Sequence, residues 1–448
     1  MAAAHHGPLE PIGRYRINHN LQSHDAFGMD NRLSPSGRCD VQILARPFPH
    51  ADVAVPGRNP ASLVDSPHHI ADRSQHTCLR WEPTLQYLSS VPPLHPLRDE
   101  GSLPQKMESA QGMTFVYDEP DMTSLDGFIP ALLLRNPHLM TLVPRYWPRE
   151  AIGPSLPQVI RRFTTEPGTQ LQGFCHWQSH PDSSRTLIML HGLEGSAESH
   201  YMRGMTVKAY RAGFNVIRMN QRTCGGSDHL TPTLYNSGLS SDYRAIMEEL
   251  RVRDRLSQIW LVGYSMGGNL VLKAAGEIGQ SDPALAGVVA VSPNIDPTQC
   301  VAALEQPRNW LYHRHFLSSL KARMRRKAAL FPDTWDLAAL GSMKTITQFD
   351  EAYTARDGGY RDVADYYDRA GARHVLHHIA VPTLIITAQD DPFIPASMFD
   401  TPAIRYNPNI TLAILRYGGH CGFFQRRRPQ EDRFWVENRL LEWLPRQG

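Results

Sequence analysis

From about residue 113 onward the chain alternates short apolar runs with amphipathic segments. TLIMLHG (186–192), FNVIRMN (214–220), IWLVGYS (259–265), LAGVVAVSP (285–293), PTLIITAQD (382–390) and ITLAILRYG (410–418) read as strands. Most are apolar on both faces, as a sheet covered by helices on both sides requires. Between them, SAESHYMRGMTVKAYRAG (196–213), SDYRAIMEELRVR (241–253) and MGGNLVLKAAGEIG (266–279) read as crossover helices. The order predicts an α/β protein with a mostly parallel, doubly wound sheet. Residues of about 297–378 interrupt the alternation with helical, aromatic-rich sequence such as NWLYHRHFLSSLKARMRRKAALF. Inserted after the sixth strand, that segment is expected above the C-terminal strand edge as a cap.

Residues 1–112 have a different texture. They hold 13 of the 35 prolines and 9 of the 21 histidines, without helical or strand periodicity over any useful length. Two readings stand: a disordered, proline-rich extension, or translation from an upstream start, with Met107 or Met113 as the natural one. The 40 arginines against 6 lysines point to a GC-rich genome, where spurious frames run long and rich in Arg, Pro, Ala and Gly.

A net charge of +2 on 90 charged side chains supplies no dominant basic field, which argues against nucleic acid or an anionic membrane as an obligate partner. Six scattered cysteines (Cys39, Cys78, Cys175, Cys224, Cys300, Cys421) form no C-x-x-C pair and fit reduced thiols in a cytoplasm. The sequence MAAAHHGPLEPIG lacks the n-region and h-region of a secretory signal. No stretch approaches the roughly 18–20 apolar residues of a membrane span. Neither a phosphate-binding G-x-x-x-x-G-K-[ST] nor an H-E-x-x-H metal motif occurs. His377–His378 and the histidines around His313 and His315 lack carboxylate or cysteine partners at ligand spacing and read as surface residues. No cofactor or metal is expected.

The sharpest chemical feature is Gly263-Tyr264-Ser265-Met266-Gly267, a G-x-S-x-G between the run IWLV and the predicted helix MGGNLVLKAAG. A serine there could simply cap the helix. The strand-turn-helix setting instead matches a nucleophile elbow, where two glycines let strand and helix approach and expose the serine Oγ. A serine hydroxyl needs a base to take its proton as it attacks, and in such sheets the acid and then the histidine follow in the chain. Asp391, in QDDPFIP, follows one predicted strand, and His420, in GGHCGF, follows the next. Both fall at C-terminal strand ends, where open α/β sheets place their sites. Asp391 is favoured because it directly precedes a proline turn; the adjacent Asp390 remains the alternative acid. Backbone N–H groups of Met266 and, after the first run, Leu193 are the expected oxyanion donors. His191, before Gly192 at a strand end, reads as a structural loop residue.

With these residues placed, residues of about 113–448 resemble the YheT-type group of α/β-hydrolases (AB hydrolase 4 family). The likeness is carried by FIPALLLRNPHLMTLVPRYWPR (128–149), HGLEGS, GYSMGGN, QFDEAYTARDGGY (348–360), DYYDRA (365–370), DDPFIP and GGHCGF, in that order. Two positions depart from the group's pattern: Arg222-Thr223-Cys224 replaces arginine-glycine-cysteine, and Tyr235-Asn236-Ser237-Gly238 replaces tyrosine-histidine-serine-glycine. Neither touches the presumptive triad, and both bear on substrate preference. The resemblance implies an α/β-hydrolase fold and carboxylic-ester hydrolysis, with eukaryotic relatives acting on phospholipids or making medium-chain fatty acid esters. Those relatives often carry an N-terminal membrane anchor that is not recognisable here. The expectation is a cytoplasmic Ser-His-Asp esterase for small to medium acyl chains. An alcohol acyltransferase with the same triad, or a non-catalytic binding protein on the same fold, are the alternatives; oligomeric state is unreadable.

Overall fold

Eight strands hydrogen-bond into one sheet in the order β1-β2-β4-β3-β5-β6-β7-β8. They are β1 (Val159–Glu166), β2 (Thr169–His176), β3 (Thr186–Leu190), β4 (Asn215–Met219), β5 (Ile259–Tyr264), β6 (Leu285–Val291), β7 (Thr383–Ala388) and β8 (Ile410–Leu415). The computed structural model describes residues 127–153 and 156–444. The extension read over residues 1–112, the candidate starts Met107 and Met113, and Cys39 and Cys78 lie outside the described residues. From β4 across to β8 every neighbouring pair is parallel, while β2 runs antiparallel to both β1 and β4.

The six apolar runs are the six parallel strands, each ending before the run does. The strand in TLIMLHG stops at Leu190 and the strand in IWLVGYS at Tyr264, which leaves His191, Gly192 and Ser265 to the connecting turns. The hairpin β1–β2 was not anticipated from the periodicity. It turns at Pro167-Gly168, where Gly168 adopts φ +77°. A type of turn that needs positive φ is reached by glycine without a Cβ penalty.

Helices cover both faces. They are α1 (Pro137–Tyr146), α2 (His200–Arg211), α3 (Ser240–Arg253), α4 (Met266–Ile278), α5 (Pro297–Leu304), α6 (Trp310–Leu330), α7 (Val363–Ala370) and α8 (Trp435–Trp443). Alternate residues of the buried strands feed two cores, as the two-residue period of a strand dictates. Ile188, Ile217, Leu261 and Val288 join Tyr243 and Leu250 of α3 and Leu270 and Ala274 of α4. Leu187, Val216, Trp260 and Val289 join Met205 of α2 and Trp435 and Leu440 of α8 on the opposite face. Each such side chain withdrawn from water stabilises the fold by about 1.5–3 kcal/mol.

Residues between β6 and β7 are helical: α5, α6, a π-helical turn over Asp350–Thr354, and α7. Leu317, Leu320 and Met324 of α6 pack into the core shared with α3 and α4. In front of the sheet, α1 opens with Pro137 at its first position and Asn136 as cap, whose side chain accepts the N–H groups of His138 and Leu139. This supplies partners for N–H groups that a helix start leaves without any.

Candidate active site

Ser265 stands alone between β5 and α4, with φ +55° and ψ −119°. A residue with a Cβ reaches that region at a cost of about 1–3 kcal/mol, so its surroundings must hold it there. Its N–H donates to the Val291 carbonyl at 2.8 Å. The neighbouring glycines leave no alternative. A Cβ on Gly263 would lie 2.1 Å from the Gly267 carbonyl oxygen, and one on Gly267 would lie 2.5 and 2.6 Å from the carbonyl oxygens of Leu190 and His191. Strand and helix therefore approach to backbone contact, and the serine side chain is lifted off the strand end.

The ends of β7 and β8 bring the other predicted residues together. The Asp391 side chain is fully buried. Its Oδ1 accepts the N–H groups of Phe393 (3.1 Å) and Ile394 (3.0 Å), and its Oδ2 faces His420 Nδ1 at 2.9 Å. The adjacent Asp390 turns away from the imidazole: its Oδ1 accepts the Gly419 N–H at 2.9 Å, and its Oδ2 has no partner among the described residues. Both carboxylates thus serve the histidine loop, one through the ring and one through the backbone. His420 N–H in turn donates to Thr141 Oγ1 of α1 at 2.9 Å, and that hydroxyl donates to the Pro137 carbonyl. The Phe393 ring lies 4.1 Å from the imidazole, centre to centre.

Burial opposes a proton on His420, but the Asp391 charge, with Cys421 beside the ring, outweighs it and raises the imidazole pKa above its ordinary value. Such an imidazole is a strong proton acceptor in its neutral form. Among the described residues the Ser265 hydroxyl is not hydrogen-bonded to it. Ligand-free hydrolases often close that contact only around substrate.

Leu193 and Met266 both line the cavity into which Ser265 opens. In the loop after β3, Gly192 N–H donates to Tyr201 Oη and Glu194 N–H to Tyr235 Oη. The N–H groups of Leu193 and Met266 have no acceptor among the described residues and stay available for one. His191 is buried, its Nδ1 against the Gly192 carbonyl and its Nε2 accepting the Gln221 N–H at 3.2 Å. Burial drives its pKa down to about 4, so it stays neutral as a loop brace.

The cavity is roofed by the segment between β6 and β7. Leu304, Phe316, Leu320 and Phe393 give it an apolar side, and Asn236 and Ser237, from one of the two departures from the YheT-type pattern, line it too. The other departure touches the roof: Thr223 Oγ1 accepts from Arg323 of α6 at 2.9 Å. Arg323 also pairs with Glu194 at 2.9 Å, and Glu194 accepts the Tyr235 hydroxyl at 2.7 Å. All three side chains are largely withdrawn from solvent. One salt bridge thus ties the loop carrying Leu193 to the roof helix. Sequence reasoning missed this link, because 129 positions separate its ends. It also missed Asn269, whose amide donates to the carbonyls of Ser237 and Ala370 and accepts the Ala372 N–H. The residue lay visible in GYSMGGN, but its residue type alone reveals no partner.

Comparison with known proteins agrees with this architecture. The sequence profile described as the alpha/beta hydrolase fold matches residues 185–426. The putative esterase YheT of Escherichia coli (strain K12) is 32% identical over 334 residues, which are 73% of this chain and 95% of that protein. The chain belongs to the α/β-hydrolase family, in its YheT-type branch. Phospholipase ABHD3 of Mus musculus is 30% identical over 55% of this chain and 60% of its own length. Monoacylglycerol lipase ABHD2 of Homo sapiens is 26% identical over 54% and 60%. Among the described residues of this YheT-type hydrolase, no helix is long and apolar enough to cross a membrane. Nor do three or more His, Cys, Asp or Glu side chains cluster there as metal ligands would.

Proposed function

We propose that the chain is a serine carboxylester hydrolase in which Ser265 is the nucleophile, His420 the general base and Asp391 the acid that orients the histidine. The observation that carries this reading is the Asp391–His420 contact at 2.9 Å past the ends of β7 and β8, together with a serine held at φ +55° that lines the cavity. Ser265 Oγ attacks the ester carbonyl while His420 Nε2 takes its proton. The carbonyl oxygen becomes an oxyanion between the N–H groups of Leu193 and Met266, donors already in place before reaction. Collapse breaks the ester C–O bond, and the alcohol leaves with the proton from His420. Water, activated by the same imidazole, then attacks the acyl-enzyme and releases the acid and Ser265.

The apolar side of the cavity supports small to medium acyl chains, and relatives named as an esterase, a phospholipase and a lipase support an ester substrate. Free Cys175, Cys224, Cys300 and Cys421 support a reducing, cytoplasmic setting. Ser265→Ala tests the assignment. Hydrolysis of p-nitrophenyl acyl esters and labelling by a fluorophosphonate should both disappear; an active Ser265→Ala protein would overturn it.

A further inference from the structure

The chain's small net charge conceals an uneven distribution. Residues 128–149 and 306–332 contain ten Lys and Arg and no Asp or Glu, so the rest of the chain is net acidic. The second lines the cavity through Phe316, Leu320 and Arg323, and the first meets it at α6. His138 of α1 sits 3.2 Å from the Tyr312 hydroxyl of α6, Tyr312 packs on Phe393 with ring centres 5.3 Å apart, and Phe393 packs on His420.

The same two segments expose most of the large apolar side chains that face solvent. Leu132 is 74% and Leu133 83% accessible, while Trp310 and Leu311 at the start of α6 reach 54% and 56%; Leu139 adds to them. Soluble proteins rarely leave such side chains clustered in the open without a use. The surrounding charge is of one sign. Arg135, Arg145, Arg308 and Arg314 are exposed and form no salt bridge among the described residues, and the Arg314 guanidinium lies 5.5 Å from the Trp310 ring centre. Leucine to bury, tryptophan at the boundary and arginine around it is the chemistry that seats a protein in the interface of a bilayer.

We propose that this face docks the enzyme on an anionic lipid surface, with Leu132, Leu133, Leu139, Trp310 and Leu311 entering the headgroup layer and the four arginines pairing with lipid phosphates. The cavity mouth would then open toward the bilayer. Such contact is peripheral and salt-sensitive, because exposed charges are screened within about 8–10 Å at moderate ionic strength. It does not depend on the assignment of Ser265.

Co-sedimentation of the full chain with phosphatidylcholine vesicles, with and without roughly 30 mol % phosphatidylglycerol, tests the proposal. Partitioning onto the anionic vesicles should exceed that onto neutral ones at least about tenfold and fall on adding about 0.5 M NaCl. The double variant Leu133→Glu/Leu311→Glu should lose binding about tenfold or more while hydrolysing a water-soluble ester at the wild-type rate, which shows that it is folded. Ser265→Ala should bind as wild type does, so that failure of docking and failure of the catalytic assignment are told apart. Equal binding of the double variant, or no preference for anionic vesicles, overturns the proposal. So does a wild-type dimer in sedimentation velocity that the double variant abolishes, since the face would then belong to a second copy.

Discussion

The two adjacent aspartates should respond very differently to the same substitution. In Asp391→Asn the side chain still has to accept the N–H groups of Phe393 and Ile394, held 3.1 and 3.0 Å from Oδ1. The amide oxygen therefore stays at that position, and the amide nitrogen takes the place of Oδ2, 2.9 Å from His420 Nδ1. An NH2 group there can only donate, so Nδ1 must accept and the proton moves to Nε2. A histidine in that tautomer cannot take the proton of Ser265. In serine triads generally this error costs about 10⁴ in kcat, or about 5.5 kcal/mol of barrier. In Asp390→Asn the oxygen still accepts the Gly419 N–H, and the nitrogen replaces an oxygen that has no partner. Only the charge on one hydrogen bond is lost, about 1 kcal/mol and less than tenfold in kcat. The assay is kcat on a p-nitrophenyl ester across pH 5–10, with thermal melts to show that both variants fold. In wild type the acid limb of kcat/KM should lie above the ordinary histidine pKa, since the proposed base His420 would act only without its proton and Asp391 raises its pKa. Equal losses in the two variants, or an Asp391→Asn enzyme retaining a tenth of wild-type kcat, would refute this reasoning.

Three further outcomes follow from the packing. Gly267→Ala would press a methyl against two backbone oxygens that no side-chain rotation can move, and should cost about 1–3 kcal/mol in thermal unfolding along with most activity. Asn269→Ala leaves the Ala372 N–H and the carbonyls of Ser237 and Ala370 without their partner, and a loss of about 3 kcal/mol or more is expected in urea unfolding. Asp350 is buried in the roof segment, and burial lifts its pKa from 3.8 to about 6 against the hydrogen bonds from Thr354 and Tyr367. A folded pKa above the unfolded one gives stability that is present below about pH 4 and lost as the pH rises through about 6, here on the order of 3 kcal/mol at most. That slope should flatten in Asp350→Asn; an unchanged pH profile of Tm would contradict it.

The parallel sheet was legible because strands buried on both faces must be apolar at every position, and TLIML or LAGVVAV admit little else. The hairpin β1–β2 was not, because VIRRFTTE buries only Phe163 deeply and so shows no alternation, although Pro167-Gly168 marked its turn. α1 was visible only as a stretch resembling a family segment, its Asn-Pro start and internal Pro144 masking the helical period. Ser265, Asp391 and His420 could be proposed from their positions after strands, whereas the choice between Asp390 and Asp391 depends on which side of one turn each carboxylate leaves. The Glu194–Arg323 bridge and the Thr141–His420 bond join distant residues and have no local signature. Net charge hides a further feature: averaging over 448 residues conceals two segments whose charged side chains are all basic.

The bond from His420 N–H to Thr141 connects residues 279 positions apart. It acts together with Asp390 on the Gly419 N–H and Asp391 on the imidazole, so the loop is held from α1 and from the end of β7. Segments held by side-chain contacts at a sheet end generally open before the central strands do. Mild denaturant is therefore expected to part the proposed base from Ser265 before the sheet unfolds. Activity should then fall at a lower urea concentration than the far-UV signal of the sheet, two transitions where a rigid site would give one.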